Sequence, residues 1–365
     1  MSNITKNRKN DLVSKISELE TYLENSSVPE YYLQIVCQIK NEIQKEKYGL
    51  VFEECTENQA GNEILGLIED KNLFIENGSR MNLLIEGENL EALSILKKPY
   101  NHKIDVICID PPYNTGMDWL NYSDHGYSSD EDSYYHSKWL SFMKKRLKYA
   151  YDLLSNEGTL FINIDEHETG TLLLLCHQIF GENNVDVLIW PKIDPYFDEN
   201  RVDKSFKNIK IAHEYIFVCF KNKKSTNFNK IMLPQATDGK RVGKLSDMET
   251  ILKGLGTTSS AKDELGEILG DRYCFQTPKP MSLIKELIRA SSRPNSIVLD
   301  FFAGSGTTGH AVMDLNREDQ GDRLFILVNN NENNICRNIT YKRLKNVIEK
   351  ENYDECLKYI KIEAL

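Results

Sequence analysis

The sequence predicts an α/β chain with a doubly wound, mostly parallel sheet, and three observations lead there. Apolar runs of strand length alternate with helical stripes from about residue 83 to residue 350. One such run, Ile104-Asp105-Val106-Ile107-Cys108-Ile109, ends in Asp110-Pro111-Pro112-Tyr113. Another, Ile297-Val298-Leu299, runs into Asp300-Phe301-Phe302-Ala303-Gly304-Ser305-Gly306-Thr307-Thr308. Both polar turns follow strands directly, and open parallel sheets bind ligands at the carboxyl ends of their strands.

Taken in order, residues 8–48 predict a pair of helices. Leu12, Ile16, Leu19 and Leu23 mark the first stripe, and Tyr32, Ile35, Ile39 and Ile43 the second. Asn25-Ser26-Ser27 breaks the pattern, and Ser27-x-x-Glu30 reads as a capping box. Residues 49–80 have weak periodicity and read as a connector. Leu83 to Gly87 is a strand and Asn89 to Lys97 a helix; Lys103 to Asp110 is the next strand. Residues 114–135 form a long polar loop, and a loop of that length beside such a turn is more often functional than idle. Trp139 to Leu154 carries a helical stripe, Gly158 to Asp165 a strand, Thr169 to Phe180 a helix. Val185 to Trp190 and Tyr215 to Phe220 are further strands. Ser282 to Ala290 is a helix, Ser296 to Phe302 a strand, and a helix starts near Thr307. Arg323 to Asn329 is a strand, and Asn338 to Lys350 a closing helix. The stretch 191–275 breaks the alternation. It has no sustained apolar pattern, and Gly254-x-Gly256 reads as a flexible turn with Ser259 or Ser260 capping a helix near 261–269.

The two turns carry the chemistry. Two prolines cannot continue a ladder of hydrogen bonds, so they stiffen the turn and keep carbonyl lone pairs free. A carboxylate, a rigid carbonyl and an aromatic ring at one strand end suit a planar group that bears an exocyclic amine. In the second turn, Gly304 and Gly306 let backbone approach a ligand closely. The helix start behind them favours an anionic group.

Together these motifs resemble those of DNA amino-methyltransferases that use S-adenosylmethionine. Asp-Pro-Pro-Tyr looks like the catalytic motif of the adenine-N6 enzymes, and Asp300 to Gly306 like their cofactor loop. The catalytic motif comes first, which is the beta-class order. More closely, the chain resembles the modification subunit of type III restriction–modification systems. Leu84 to Leu93, Ile109 to Gly116, His136 to Leu140, Phe161 to Asp165, His213-Glu214-Tyr215 and Pro278-Lys279-Pro280 carry that match, within about residues 45–350. The resemblance implies a seven-strand-type methyltransferase sheet in circularly permuted order. Residues 1–80 would then be a helical arm and connector, and 81–190 the catalytic half. Residues 191–275 would be a target-recognition insertion whose start overlaps core strands to about 220, and 276–365 the cofactor half. The insertion is short for the type III family.

The residue roles follow from the same resemblance. Asp110 would accept one N6 hydrogen of a flipped adenine and the Pro111 carbonyl the other, with Pro112 stiffening the turn and Tyr113 stacking on the base. Asp300, Phe301, Ala303, Gly304, Gly306, Thr307 and Thr308 would line the cofactor. Lys279 could reach its carboxylate. Asn329 or Glu332 would hold the ribose, in place of the acid common there. Glu88, where the family often has Asp, and Asn89 would stand near the adenine ring of the cofactor. No metal is implied, because a sulfonium is already an activated leaving group. The partners implied are double-stranded DNA, with a second copy of the chain and a restriction subunit as further candidates.

Composition fits this reading. A net charge of −10 argues against a simple nucleic-acid coat protein. Between Pro191 and Lys262, however, 14 Lys/Arg face 8 Asp/Glu, a local excess of +6. A DNA enzyme needs one basic groove, not a basic whole. The eight cysteines are scattered, with neither Cys-x-x-Cys nor zinc spacing, as expected of reduced thiols. No apolar run reaches membrane-spanning length, and the first residues lack a signal peptide's apolar stretch, so the expected location is the cytoplasm of a prokaryote, at the nucleoid in use. Three rivals stay open. Cytosine-N4 enzymes more often have Ser where Asp110 stands. A non-catalytic, methyltransferase-like DNA-binding subunit has no need of an intact Asp-Pro-Pro-Tyr. A nicotinamide oxidoreductase would want a longer glycine fingerprint near its first strand.

Overall fold

In a computed structural model, the alternating runs and stripes form a nine-stranded sheet with flanking helices. The structure describes residues 14–23, 25–26, 29–44, 52, 54, 65–115, 135–193, 209, 211–237 and 240–364. The chain separates into two compact units, Met1–Val51 and Phe52–Leu365. This division falls earlier than the boundary at residue 80 expected from the loss of periodicity.

The first unit contains helices α1 (residues 14–23) and α2 (Glu30–Gln44). Lys40 pairs with Glu20 across them, and Val36 is buried. Leu19 and Ile39 of the expected stripes are exposed. Leu12 and Ser27, and with Ser27 the expected capping box, lie outside the described residues.

The second unit runs β1 (Leu65–Glu69), β2 (Arg80–Glu86), α3 (Asn89–Tyr100), β3 (Ile104–Ile109), α4 (Tyr135–Leu153), β4 (Leu154–Ile164), α5 (Thr169–Phe180), β5 (Val185–Trp190) and β6 (Glu214–Phe220). It continues with β7 (Ile231–Thr237), β8 (Lys240–Ser246), α6 (Thr258–Leu269), α7 (Met281–Ser291), β9 (Ile297–Asp300), α8 (Thr307–Asp319), β10 (Leu324–Asn329), α9 (Lys342–Glu351) and β11 (Glu355–Ala364). The sheet order is β1-β11-β2-β10-β9-β3-β4-β6-β5. From β11 to β4 every neighbouring pair is parallel; β1, β6 and β5 are antiparallel to the strands they join. Seven strands, β2 to β5 in that order, form the expected sheet, and β11 and β1 extend it beyond β2. A π-helical turn over Cys336–Tyr341 leads into α9.

Strands buried on both faces read as continuous apolar runs, which is why β3, β4 and β10 are legible in the sequence. Val106, Cys108, Phe161, Val298 and Leu327 are buried and join Leu283, Leu287, Val312 and Leu315 of the helices in one cluster. Each such side chain is worth about 1.5–3 kcal/mol when fully buried. β11 joins the same cluster through Leu357 and Tyr359, and polar side chains fix its start. The buried Glu355 at its start accepts from Arg80 Nε at 2.9 Å and Asn82 Nδ2 at 2.7 Å, both on β2. That pairing of polar side chains has no apolar signature, and neither β11 nor β1, in the supposed connector, was expected.

The stretch 191–275 contributes β6 to the sheet and a separate hairpin, β7 with β8. The hairpin holds Pro234 and Gly243 and exposes Met232 and Leu245, so it lacks strand periodicity. Thr257 caps α6: its Oγ1 accepts from the Ser260 N–H, and the Ser260 hydroxyl accepts from the Thr257 N–H at 2.8 Å. Thr257 thus takes the cap position expected of Ser259 or Ser260. Of the long polar loop, residues 116–134 lie outside the described residues, as do 194–208 of the insertion.

Candidate active site

The two motif-bearing strands are neighbours. β3 and β9 pair in parallel, with Ile107 opposite Leu299, so Asp110 and Asp300 leave the sheet at the same edge. β9 continues to β10 on one side and β3 to β4 on the other. This is the switch point of the topology, where a crevice opens beyond the strand ends. A cleft of about 290 Å³ lies there. Asp110 and Pro112 line it from the first motif, and Asp300, Phe301, Ala303, Gly304, Thr307 and Thr308 from the second. Glu88, Asn89, Lys279, Asn329 and Glu332 complete the expected set in its wall, while Pro111, Tyr113 and Gly306 stand outside the lining.

At the β3 end, Asp110 is held by the side chains of Lys279 and Tyr113. Lys279 Nζ donates to Oδ1 at 2.8 Å and to Oδ2 at 2.7 Å. The Tyr113 hydroxyl lies 2.6 Å from Asp110 Oδ1 and 3.0 Å from Glu214 Oε2, one proton between two carboxylates. Lys279 Nζ is also 3.4 Å from Glu214 Oε2, and Lys192 Nζ is 3.4 Å from Glu214 Oε1. Burial is the largest influence on Asp110 and pushes its pKa up; Lys279 opposes this, Glu214 adds to it, and the net direction is upward. For Glu214 burial again pushes up, but Lys279 and Lys192 outweigh it and its pKa falls below the ordinary glutamate value. Lys279, expected to reach a cofactor carboxylate, carries its ammonium on the strand-end acid.

The backbone of this turn is fixed as well. Trp139 Nε1 donates to the Pro112 carbonyl at 2.7 Å, and Asn163 Nδ2 to the Ile109 carbonyl at 3.1 Å. Asn163 is 1% exposed, lines the cleft, and its Oδ1 has no partner. Asn114, at φ +61°, donates from Nδ2 to the buried Glu168 at 2.7 Å, and His136 Nδ1 lies 2.7 Å from the same oxygen.

At the β9 end, Asp300 Oδ1 accepts from the Phe302 N–H at 2.9 Å, and Oδ2 from the Thr308 hydroxyl at 2.6 Å. Burial raises its pKa to about 7, against the pull of those two donors, with Asp110 adding to the rise. Gly304 and Gly306 have φ of +48° and +78°. A Cβ at Gly304 would come 3.2 Å from Phe275 Cζ, so a side chain there would crowd the cleft wall. Asn89 Nδ2 donates to the Phe301 carbonyl at 3.0 Å, and Asn89 Oδ1 accepts from Arg146 Nε at 2.6 Å. Asn329 Nδ2 donates to the Gly304 carbonyl at 3.1 Å and to Thr340 Oγ1 at 2.9 Å. Glu88 accepts from Asn330 at 3.2 Å.

Several site residues were not singled out from the sequence. Glu214 lies in His213-Glu214-Tyr215, one of the stretches that carry the family resemblance, and nothing local marks it as a site residue. Arg343, 1% exposed, donates to Thr307 Oγ1 at 2.8 Å and pairs with Glu264 of α6. An arginine within the apolar stripe of α9 was the available signal. Asn163, inside an apolar strand, was another.

The arrangement offers an anionic acceptor, an adjacent glycine-lined wall and a polar rim in one cleft. The chain is similar to the Mod subunit of the type III restriction-modification enzyme StyLTI of Salmonella typhimurium, 30% identical over 74% of this chain and 56% of that protein. It is also similar to the EcoPI Mod subunit of Escherichia phage P1, 28% identical over 90% of this chain and 70% of that protein. It therefore spans little more than half the length of the StyLTI subunit. Among solved structures, the complex of M1.HpyAVI with SAM aligns with a TM-score of 0.43 and 20% identity, covering 72% of this chain and 98% of that one. Residues 104–351, more than half of the chain and inclusive of both motifs, match a family described as DNA methylase, and the chain belongs to that family.

Proposed function

We propose that this chain transfers a methyl group from S-adenosylmethionine to N6 of an adenine flipped out of double-stranded DNA, as the modification component of a restriction–modification system. The observation that carries the reading is the meeting of Asp110 and Asp300 in one cleft, at the ends of adjacent parallel strands. The carboxylate at position 110 favours adenine over cytosine N4 by resemblance, as the N4 enzymes more often have Ser there.

The residues present fit the cofactor. The turn at Gly304 and Gly306 keeps side chains off one wall, and Phe275, Phe302 and Ile335 give apolar surface for a purine. Asp300, Glu88, Asn330 and Glu332 supply polar groups for an ammonium and hydroxyls. When bound there, the cofactor supplies a methyl on a sulfonium, already activated for displacement. The chain's part is to bind and orient. Asp110 accepts one N–H of the target amine and the Pro111 carbonyl the other, which turns the nitrogen lone pair toward the methyl. Tyr113 stacks on the base. Holding both reactants at near-attack distance supplies much of the rate. The raised pKa of Asp110 suits it to receive the surplus proton of the product amine.

Duplex DNA would lie against the 191–275 stretch, where Lys230, Lys244 and Lys253 are exposed. A restriction subunit and a second copy of the chain are the partners this setting calls for. Among the described residues no helix is long and apolar enough to cross a membrane.

The test is direct. Purified protein is incubated with labelled S-adenosylmethionine and mixed genomic DNA, and the digested nucleosides are identified. N6-methyladenine from the wild type, lost in Asp110→Ala, supports the reading. N4-methylcytosine replaces the target base, and cofactor binding without incorporation replaces the enzyme with a binding subunit.

A further inference from the structure

We propose that Glu214 is a positioning residue for methyl transfer: it shares Lys279 and Tyr113 with Asp110, and it retains the Lys279 ammonium when a target amine claims the Asp110 carboxylate. This deepens the function proposed above and rests on it.

Glu214 opens β6, opposite Trp190 of β5, and its side chain is 9% exposed. Lys279 is 7% exposed, while Asp110 keeps 29% of its side chain open toward the cleft. Lys279 bonds both oxygens of Asp110, and Tyr113 bonds one of them as well. A carboxylate offers about four lone-pair sites, so room for an amine exists. A neutral amine N–H is nevertheless a weaker donor than the ammonium already in place. The amine gains a well-aligned acceptor only if Lys279 shifts. A buried ammonium cannot simply be released, because an unpaired buried charge costs several kcal/mol. Glu214 removes that obstacle. Its Oε2 stands 3.4 Å from Lys279 Nζ, so a small displacement exchanges one carboxylate for the other.

The charge count supports the exchange. Asp110, Glu214, Lys279 and Lys192 form two anions and two cations in contact, with Asp300 facing Asp110 from the neighbouring strand end and the Tyr113 hydroxyl between the carboxylates. In the transfer, the C–N bond forms, the C–S bond breaks with its electron pair passing to sulfur, and the surplus N–H proton goes to Asp110. Asp110 is then neutral, and Lys279 keeps Glu214 as its counter-ion. The burial of Glu214 beside two lysines, itself outside the cleft lining, is otherwise an expensive arrangement at a strand end.

The experiment compares wild type, Glu214→Gln, Glu214→Asp and the double variant Glu214→Gln/Lys279→Met by single-turnover methylation across pH 5–9. In parallel, isotope-edited infrared spectroscopy follows the carboxyl titration of Asp110 in DNA-free protein, assigned with Asp110→Asn. Glu214→Gln takes the second carboxylate away from Lys279. We expect a plateau rate at least about 10-fold lower, an acid limb and an Asp110 titration both moved to lower pH, and unchanged cofactor affinity. Glu214→Asp restores part of the rate, and the double variant is faster than Glu214→Gln. A wild-type pH profile and an unmoved Asp110 titration in Glu214→Gln overturn the proposal. So does a slower enzyme with neither limb nor titration shifted, which marks a merely structural role. A wild type that methylates no DNA refutes the proposed function instead, and the infrared arm still decides whether Glu214 sets the charge of Asp110.

Discussion

Arg343 reaches from the closing helix into the start of the helix behind the glycine turn, where its Nη1 lies 2.8 Å from Thr307 Oγ1. Its Nη2 pairs with Glu264 of α6, so a single buried guanidinium joins the inserted stretch to the cofactor-side turn. Breaking such a pair strips Glu264 of its guanidinium, leaving the Met281 N–H at 3.4 Å and His310 beside it, and takes a charged donor from Thr307 Oγ1, which still donates to the Lys279 carbonyl. Arg343→Met should lower stability by about 3 kcal/mol. It should also weaken cofactor binding, since Ser305 and Thr307 lose a common anchor. Urea unfolding and calorimetric titration with S-adenosylmethionine measure the two effects; wild-type values in both would show the contact to be idle.

Gly306 has φ +78°, and a Cβ added there would sit 3.2 Å from Thr340 Cγ2. An alanine in the left-handed region costs about 1–2 kcal/mol before any crowding. Gly306→Ala should therefore shift the turn and weaken cofactor binding by about 10-fold or more. Equilibrium dialysis with the labelled cofactor tests this.

Asn329 donates to the Gly304 carbonyl, so its role in this structure is to hold the turn. An acid at this position cannot donate, and its charge would face a carbonyl oxygen. Asn329→Asp should destabilise the protein by about 1–3 kcal/mol and weaken cofactor binding. If the variant instead binds the cofactor more tightly, the ribose dominates over the turn at this position.

Asp300 has a pKa raised from 3.8 to about 7 by burial. For an acid whose folded pKa lies above its unfolded one, the folded state holds the proton more tightly. Its contribution to stability is complete below about pH 4 and is lost as pH rises through about 7, which by linkage amounts to at most about 4 kcal/mol. Asp300→Asn should remove this decline. Urea midpoints at pH 5 and pH 8 should converge in the variant relative to wild type. A wild-type loss of stability over this interval that the variant shares in full would assign it to other groups.

The strands that bear the two motifs were legible because each is buried on both faces and so is apolar without interruption, as with Val106 to Ile109 and Val298 to Leu299. The prolines after Asp110 and the glycines after Asp300 announced turns by backbone chemistry that needs no tertiary context. β11 was not expected, because Lys358 and Lys361 interrupt its apolar residues, although Leu357 and Tyr359 are buried and Glu355 pairs with Arg80 and Asn82 of β2 across 275 residues or slightly fewer. The β7–β8 hairpin was hidden by Pro234 and Gly243.

What the sequence determined by itself was the kind of groups at each strand end: a carboxylate on a stiff turn, and a glycine turn before a helix. Only the folded chain decided which side chains surround them. Register between β3 and β9 set Asp110 beside Asp300, and an antiparallel strand brought Glu214 within reach of Lys279, 65 positions further along. Local composition specifies backbone conformation because its energies act between near neighbours. The partners of a buried charge are fixed by packing at long range, and no spacing within one segment records them.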